Sequence, residues 1–271
     1  MELSKFISQL GVRGKLAGLL AAFGAAPACA VMGVLLLQEE TFRAALGTRI
    51  TEAAGQTIDV IERNLFERYG DVQAFAVNAA ALEEGNWKNP SADNPLLRAM
   101  DSYMTNYGIY KLMLLVSPQG EVLAVNTIDK AGKKLKTEGL YGKSFKGAGW
   151  LGKAVKGEFL EGRDGLTGTV VEGPTAIAEV AQAYGEDGYS LTFAAPVKDA
   201  GGEVVAVWAN FADFGLVEEI VGGVHERLRK QGVTAHEVTL LDNKGVVLVD
   251  YDPMVQGGTF RRDLATVGKL N

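Results

Sequence analysis

The chain has 271 residues, of which 47% are hydrophobic, and a formal net charge of −6. This length and composition are sufficient for one or two domains with a buried core. The negative net charge argues against nucleic acid as a partner, because binding phosphates requires a basic surface. The single cysteine, Cys29, lies in an apolar run, so the rest of the chain can form no internal disulfide.

The first predicted element is a transmembrane anchor at residues 16–37. This run of 22 residues contains no charged side chain. As an α-helix it would be about 33 Å long, enough to cross a hydrocarbon core of about 30 Å. The alternative is a signal peptide cleaved after Ala30, which would leave a soluble periplasmic binding protein, because Ala28 to Ala30 are small residues typical of such a site. The apolar run continues past Ala30, which favours a retained anchor.

The residues before this run predict its orientation. Lys5, Arg13 and Lys15 place positive charge on the N-terminal side, as on the cytoplasmic flanks of membrane helices. Residues 1–15 are therefore predicted to be cytoplasmic, with one crossing of the inner membrane and the remainder in the periplasm. Small residues along the anchor would let two such helices approach closely. We expect a homodimer through the anchor and stalk helices.

Residues 38–108 predict a helical stalk followed by a second helix. Apolar side chains recur there at the three- and four-residue spacing of one helix face. They are Ile50, Ala54, Ile58, Ile61, Leu65, Tyr69, Val72, Ala76 and Ala79. Glycine, asparagine and proline punctuate the chain from Gly85 to Pro95, so the stalk helix is predicted to end near that segment. Asn94 is then the expected N-cap of a second helix that runs through Tyr107.

Beyond residue 108 the pattern changes to strands. Three stretches each show an apolar strand, a polar turn with glycine and a second apolar strand, which is typical of a hairpin. They are residues 110–126, 191–211 and 236–252. Residues 141–159 predict short helices, 168–173 a further strand and 212–232 a helix. An antiparallel sheet flanked by helices, an α+β fold, is the natural assembly. Residues 234–271 contain one hairpin and either complete the first sheet or begin a second module.

This order of elements resembles the periplasmic double Cache sensor region of bacterial methyl-accepting chemotaxis receptors. The resemblance covers about residues 12–255 and rests on five stretches: IERNLFERYGDVQAFAVN, LMLLVSPQGEVLAVN, FKGAGWLGKAVKG, LTFAAPVKDAGGEVVAVWANFADFGLVEEI and VTLLDNKGVVLVDYDP. It implies a PAS-like, membrane-distal Cache module at 109–232 and a partial membrane-proximal Cache module at 233–271. It also implies a chemotaxis sensor, in which a small molecule binds the distal module and a shift of the long helix carries the signal. A membrane histidine kinase or cyclase would share this exported architecture.

The sequence departs from the amino-acid-binding members of this family at two positions. Where they carry an arginine before the pocket tryptophan, this chain has KGAGW, with glycine and alanine before Trp150. Where they carry an aspartate that holds the amine, this chain has Asn210. An amino-acid ligand is therefore disfavoured, and we predict a small polar or weakly charged metabolite. Lys143 or Lys146 would take the place of the arginine as a less directional cation.

Five residues are predicted to contact this ligand: Trp150, Tyr141, Asn126, Asn210 and Asp213. Trp150 would wall the pocket and donate its indole N–H, and the other four stand at strand or loop ends. The pocket is predicted between the strands at 110–126 and 191–211 and a cover at 141–157. The alternative for Trp150 is packing in the core, and for the other four it is a solvated turn.

No catalytic site is predicted, and neither is a metal or a cofactor. His225 and Glu226 begin a zinc-protease pattern, but Arg229 stands where the second histidine is required. With only two histidines, His225 and His236, and no exported cysteine, neither a Cys/His pair nor a three-histidine site can form. The stretch GLYGKS has two residues between its glycines, where a phosphate-binding loop needs four.

Overall fold

The computed structural model describes residues 11–162, 165–233, 237–252 and 262–269. Lys5 and His236 lie outside these ranges. The chain divides into two compact units, Met1–Gln56 and Thr57–Asn271. The described part of the first unit is helical, and the second unit combines helices with antiparallel sheets. The α+β fold predicted from the sequence is confirmed.

Helices and strands follow one another in the predicted order along most of the chain. The α-helices are α1 (Val12–Leu20), α2 (Ala26–Ala76), α3 (Ala79–Leu82), α4 (Pro95–Tyr107), α5 (Gly149–Lys156), α6 (Ala178–Tyr184) and α7 (Gly215–Lys230). The strands are β1 (Tyr110–Val116), β2 (Val122–Val125), β3 (Val170–Ala176), β4 (Tyr189–Lys198), β5 (Val204–Asp213), β6 (Val238–Leu241) and β7 (Val247–Tyr251). Short stretches of other helix types occupy Ala21–Ala25, which is π-helical, and Glu84–Asn86 and Glu138–Gly142, which are 3₁₀.

The first unit contains the predicted anchor. Pro27 lies in the first turn of α2, directly after the π-helical turn. Proline has no N–H to donate and its ring clashes with the carbonyl four residues earlier, so a wider turn at this point accommodates it. Among the described residues, one helical stretch, Val12–Ala76, is long and apolar enough to cross a membrane on grounds of length and composition.

The long helix α2 ends at Ala76, earlier than the sequence pattern indicated. The side chain of Asn78 accepts a hydrogen bond from the Ala80 N–H at 2.9 Å and caps the short helix α3. Asparagine favours a helix start over a helix interior, because its side chain competes for backbone N–H groups. The cap predicted at Asn94 is confirmed, since its side chain accepts from the Leu96 N–H at 2.9 Å.

Strands β1 to β5 form one antiparallel sheet in the order β2-β1-β5-β4-β3. The central strand β5 pairs with β1 on one side and with β4 on the other. The three predicted hairpins are confirmed as β1–β2, β4–β5 and β6–β7, of which the last forms a separate two-stranded sheet. Helix α6 is not indicated by the sequence pattern, and no side chain caps its N-terminus.

Each face of the five-stranded sheet carries its own hydrophobic core. Trp208 of β5 belongs to the core that includes Phe75 of α2 and Met100 of α4, and we call this side the helix face. Phe211, three residues further along β5, belongs to the core that includes Leu151 of α5, and we call this side the cover face. Successive residues of a strand point to opposite sides of a sheet, which explains the division.

Residues 262–269 are tied to the sheet domain through Arg262. Its guanidinium forms a bidentate ion pair with Glu218 of α7, with contacts of 2.5 and 2.7 Å, and a further ion pair with Asp187. The same group lies 4.7 Å above the ring of Tyr189 at the start of β4. Because Glu218 is buried, this arginine neutralises a carboxylate that would otherwise be costly to remove from water.

Candidate ligand site

Trp150 anchors the cover face from the first turn of helix α5. Its ring packs edge-on against Phe211 of β5, with 6.2 Å between centroids, and lies 5.7 Å from the ring of Phe145. The residue is 6% exposed, yet its indole N–H makes no hydrogen bond within the described ranges. Trp150 is therefore both a core residue and a donor left free.

The loop before α5 is fixed by the turn between β1 and β2. The Phe145 N–H donates to the Gly120 carbonyl at 2.7 Å, and the backbones of Glu121 and Ser144 form an isolated antiparallel β-bridge. Gly120 has a φ of +96°, and a Cβ atom there would lie 2.3 Å from the backbone nitrogen of Lys146. Only glycine permits this conformation and this close approach, so the position of the loop depends on it.

A cavity of about 270 Å³ opens beside Trp150 on the cover face. Its wall is formed by the loop before α5, the start of α5, the end of β3 with the start of α6, and β5. The lining residues are Ser144, Phe145, Lys146, Ala148, Trp150, Ala176, Ile177, Ala178, Glu179 and Phe211. Aromatic and aliphatic side chains with a few polar groups are the usual composition of a small-molecule site.

The carboxylates around this cavity are held by lysines. Glu179, which lines the cavity, lies 3.3 Å from Lys143 Nζ, and Glu172 on β3 lies 2.6 Å from Lys153 Nζ of α5. Lys146, which also lines the cavity, has no ion pair among the described residues. Among the described residues, the cavity therefore presents one unpaired lysine and no unpaired carboxylate.

The structure distributes the five predicted ligand residues over different places. Of the five, Trp150 lines the cavity. Tyr141 packs at the margin of the cover-face core, and burial raises the pKa of its hydroxyl above the usual value. Asn126 is fully buried, with its side chain accepting from the Met113 N–H at 2.8 Å and donating to the Ile128 carbonyl at 2.9 Å. The first hydrogen bond ties the residue after β2 to β1, and the second fixes the loop that follows.

Asn210 and Asp213 lie on opposite sides of the sheet. Asn210 is two residues after Trp208 on β5 and therefore points to the same side of the sheet, the helix face. The Trp208 indole N–H donates to the Asn210 side-chain oxygen at 2.9 Å. The sheet thus separates Asn210 from Trp150, which is not the arrangement that the sequence predicted. Asp213 shares the face of Phe211, accepts from the Gly215 N–H at 3.0 Å, and lies 3.8 Å from Lys111 Nζ at the end of the strand.

Two residues of the cover face are not indicated by the sequence reasoning. Phe211 forms the floor of the cavity. Ser190, which pairs with Asp213 across β4 and β5, is fully buried, and its hydroxyl has no partner among the described residues. A signal was available in the stretch YSLTFAAP, where small or polar residues occupy every second position from Ser190. Such alternation marks one face of a strand.

A second, larger cavity of about 720 Å³ lies on the helix face. It runs between α2, the loop after α5, and the strands β3 and β4, with Phe66, Tyr69 and Phe193 among its lining residues. The Tyr69 hydroxyl donates to the Leu160 carbonyl at 2.6 Å and so fixes the loop to the helix. None of the five predicted ligand residues lines this groove, among the residues that the structure describes.

No protein-family model matches the sequence, and no curated protein matches it. The fold, in contrast, is similar to solved chemoreceptor domains. The ligand-binding domain of the Pseudomonas fluorescens chemoreceptor CtaA, in complex with L-isoleucine, matches with a TM-score of 0.52 and 16% identity over 86% of this chain and 75% of that chain. The sensory domain of the Campylobacter jejuni chemoreceptor Tlp3 matches with a TM-score of 0.54 and 13% identity over 82% and 77%.

A further match is an extracellular ligand-binding receptor from Desulfohalobium retbaense, with a TM-score of 0.48 and 13% identity. The alignment covers 78% of this chain, which spans 31% of that receptor. At these identities the likeness establishes a shared fold. The chain is therefore an α+β domain that shares its fold with the ligand-binding domains of bacterial chemoreceptors.

Proposed function

We propose that the chain is the extracytoplasmic ligand-binding sensor region of a membrane chemoreceptor, and that the cover-face cavity holds the ligand. The observation that carries this proposal is the cavity itself. It is walled by the rings of Phe145, Trp150 and Phe211, and the Trp150 indole N–H has no hydrogen-bond partner among the described residues. Function is specified by sites rather than by folds, so the proposal rests on this geometry first and on the fold second.

The matched structures supply the second support. The CtaA domain carries L-isoleucine, and the Tlp3 sensory domain with isoleucine bound matches this chain with a TM-score of 0.53. Small ligands with an apolar body are thus compatible with this fold. We also propose that this sensor region is a double Cache region. The β6–β7 hairpin supports it, because it forms its own sheet instead of extending the first one.

We propose the same topology that the sequence indicates, with residues 16–37 crossing the inner membrane once and the N-terminus in the cytoplasm. The exposed leucine, valine and methionine side chains of this stretch support the proposal, because water would not favour them. Protease added to sealed spheroplasts is expected to cleave the chain after residue 40. Cleavage only after lysis would contradict the proposed orientation, because it would place the region after residue 40 in the cytoplasm.

Dimerisation through the anchor and stalk helices is also part of the proposal. Ile50 and Ile58 of the predicted stripe on α2 are each more than a third exposed, as expected of a helix surface that a second copy covers. Single cysteines placed along residues 50–76 should cross-link with a helical period in the membrane. A flat cross-linking profile would rule out this surface.

Ligand binding is tested on the full chain in detergent micelles by thermal shift. The panel contains small acids, amino acids and amines, and a ligand that binds only the folded state stabilises by about 2.7 kcal/mol at a hundredfold excess over Kd. Trp150→Ala should abolish the shift of any hit. Trp87→Ala is the matched control, because the Trp87 indole donates to the Ala81 carbonyl away from the cavity. The proposal fails if no compound shifts the transition, or if folded Trp150→Ala binds as before.

A further inference from the structure

Arg262 joins two parts of the sheet domain that are far apart in sequence. Its two contacts with Glu218 of α7, at 2.5 and 2.7 Å, involve a carboxylate side chain that is 9% exposed. Its contact with Asp187 involves a carboxylate side chain that is 32% exposed. Among the described residues, no other cation forms an ion pair with either carboxylate. The guanidinium therefore lies between a buried anion that it must neutralise and a second anion that water can also solvate.

Of these two ion pairs, the one with Asp187 is the easier to break. Glu218 would remain as an unneutralised buried charge if the guanidinium left it, which is costly. Asp187 would lose a partly exposed ion pair, which contributes less. The ring of Tyr189, 4.7 Å from the guanidinium, further holds Arg262 in place. Two arrangements follow, in which Arg262 stays on α7 and the loop that contains Asp187 is either attached to it or released.

The loop that contains Asp187 is fixed to the start of helix α6. The Ile177 N–H donates to the Gly188 carbonyl at 3.0 Å. Gly188 has a φ of +70°, and a Cβ atom there would lie 2.3 Å from the Ile177 carbonyl oxygen. Backbone therefore packs directly on backbone, with no side chain between them that could adjust. A displacement of Asp187 would thus be passed on to Ile177 and to the first turn of α6.

The start of α6 is also a wall of the cover-face cavity. Ile177, Ala178 and Glu179 all line this cavity. Lys143, in the segment before α5, contacts Glu179 at 3.3 Å and so connects the α6 wall to the opposite side. The width of the cavity therefore depends on the position of the first turn of α6, which the loop of Asp187 contacts from outside the cavity.

The segment that begins with Arg262 is tied at its other end to the two-stranded sheet. The Gly268 N–H donates to the Val247 carbonyl, and the Val247 N–H donates to the Lys269 carbonyl, both at 2.8 Å. Val247 is the first residue of β7. A continuous series of contacts therefore runs from the cavity wall through Arg262 to the β6–β7 sheet.

From these contacts we infer that Arg262 is a positioning residue for the ligand cavity. Through Asp187 it holds the α6 wall, and through the segment 263–269 it links that wall to the β6–β7 sheet. A ligand that moves the wall shifts the population of the attached arrangement, and the β6–β7 sheet responds. Because such coupling is reciprocal, a change at the ion pair also alters the wall. This inference rests on the proposed function, since the wall belongs to the proposed ligand cavity, and it adds how occupancy of the cavity is passed on.

Hydrogen exchange on the full chain in micelles tests the contact between Arg262 and the wall. Asp187→Asn removes the negative charge from the ion pair but keeps an oxygen for the Tyr189 N–H. Amides of α6 should then exchange about fivefold faster, as expected for the loss of a partly exposed ion pair, while those of α4 keep their rate. Glu226→Gln, which removes a carboxylate from an exposed ion pair on α7, is the matched control and should change neither helix. Unchanged exchange in α6, or an equal increase in α4, overturns the inference.

A covalent label in the cavity tests the contact between the wall and the β6–β7 sheet. In a Cys29→Ser background, N-ethylmaleimide on Ser144→Cys occupies the cavity, because Ser144 is an exposed residue of its wall. Hydrogen exchange in β6–β7 should change by about twofold or more on labelling, and should not change once Asp187→Asn is added. The same label on Ser91→Cys, an exposed serine outside the described cavity wall, is the matched control and should have no effect on β6–β7.

The outcomes of the labelling experiment are separate from those of the ligand panel. A β6–β7 response that is absent, that persists with Asp187→Asn, or that Ser91→Cys produces equally overturns the inference. No ligand is used, so these results leave the proposed function standing. That function fails on the thermal-shift panel alone.

Discussion

The two faces of the five-stranded sheet are built in different ways. On the helix face, Phe75 of the long helix α2 stacks on Tyr103 at 4.0 Å between centroids and meets Trp208 at 6.0 Å. On the cover face, two short helices and a loop are held by lysine–carboxylate pairs and leave a cavity at Trp150. Long helices and stacked rings thus cover the first face, whereas the second face is covered by short elements that leave Trp150 beside a cavity.

The largest expected effect sharpens this comparison by removing one indole from each face. Trp208→Ala should lower the free energy of unfolding by about 3–5 kcal/mol, because the side chain is fully buried among aromatic rings. Trp150→Ala should cost less, because part of its surface faces a cavity and makes fewer contacts. Chemical denaturation in micelles measures both. Equal losses of unfolding free energy would contradict the view that the two faces are packed differently.

Asn126 tests whether a polar residue on the sheet is structural. Asn126→Ala leaves the Met113 N–H and the Ile128 carbonyl without partners, so we expect a loss of about 2 kcal/mol in unfolding free energy. Ligand affinity of the folded protein should stay the same. Asn106→Ala, at an exposed asparagine of α4, is the control and should change stability by less than about 0.5 kcal/mol. A loss of ligand affinity without a loss of stability would instead indicate that Asn126 contacts the ligand.

A smaller change isolates the free donor of the cover face. Trp150→Phe keeps an aromatic ring against Phe211 but removes the indole N–H. We expect about a tenfold loss of affinity for a ligand of the cavity, or about 1.4 kcal/mol, from one missing hydrogen bond. Stability should change by less than the affinity does. Unchanged affinity would mean that the indole N–H does not contact the ligand.

The smallest expected effect is an acid dependence that arises away from both cores. Burial alone would raise the pKa of Asp187, but the Tyr189 N–H and the Arg262 guanidinium outweigh it and hold the pKa below its usual value. A carboxyl whose folded pKa is depressed stabilises the fold above its unfolded pKa, about 3.9, and loses this contribution as the pH falls through the folded pKa. Asp187→Asn should therefore flatten the stability profile below about pH 4. A profile identical to that of the unaltered chain would contradict this.

The elements of the fold follow from the sequence more closely than the site does. The three hairpins, the cap at Asn94 and helix α7 are as predicted, because glycine turns, an asparagine–proline start and apolar periodicity are local signals. The end of α2 differs, since the cap at Asn78 competes with an apolar pattern that continues to Ala79. Helix α6 has seven residues and no side-chain cap, so little in the sequence marks it.

The site depends on which face a residue occupies, and this is the information that a strand pattern specifies least well. Asn210 and Phe211 are neighbours in sequence, yet one lies on the helix face and the other forms the floor of the cavity. A strand that is buried on both sides shows no alternation of apolar and polar residues. Predicting Asn210 as a pocket residue therefore required knowing which face of β5 it occupies. An error of one residue in this assignment places a side chain on the opposite face of the sheet.

Gly120 has a consequence for how this cavity would change under selection for a new ligand. The residue lies outside the cavity wall, but its φ of +96° and the 2.3 Å approach to Lys146 exclude every side chain. In a library of variants, substitutions at Ser144 or Lys146 would alter the cavity while the loop keeps its course. Position 120 would stay glycine in every surviving clone, so a selection experiment would report it as invariant although it touches no ligand.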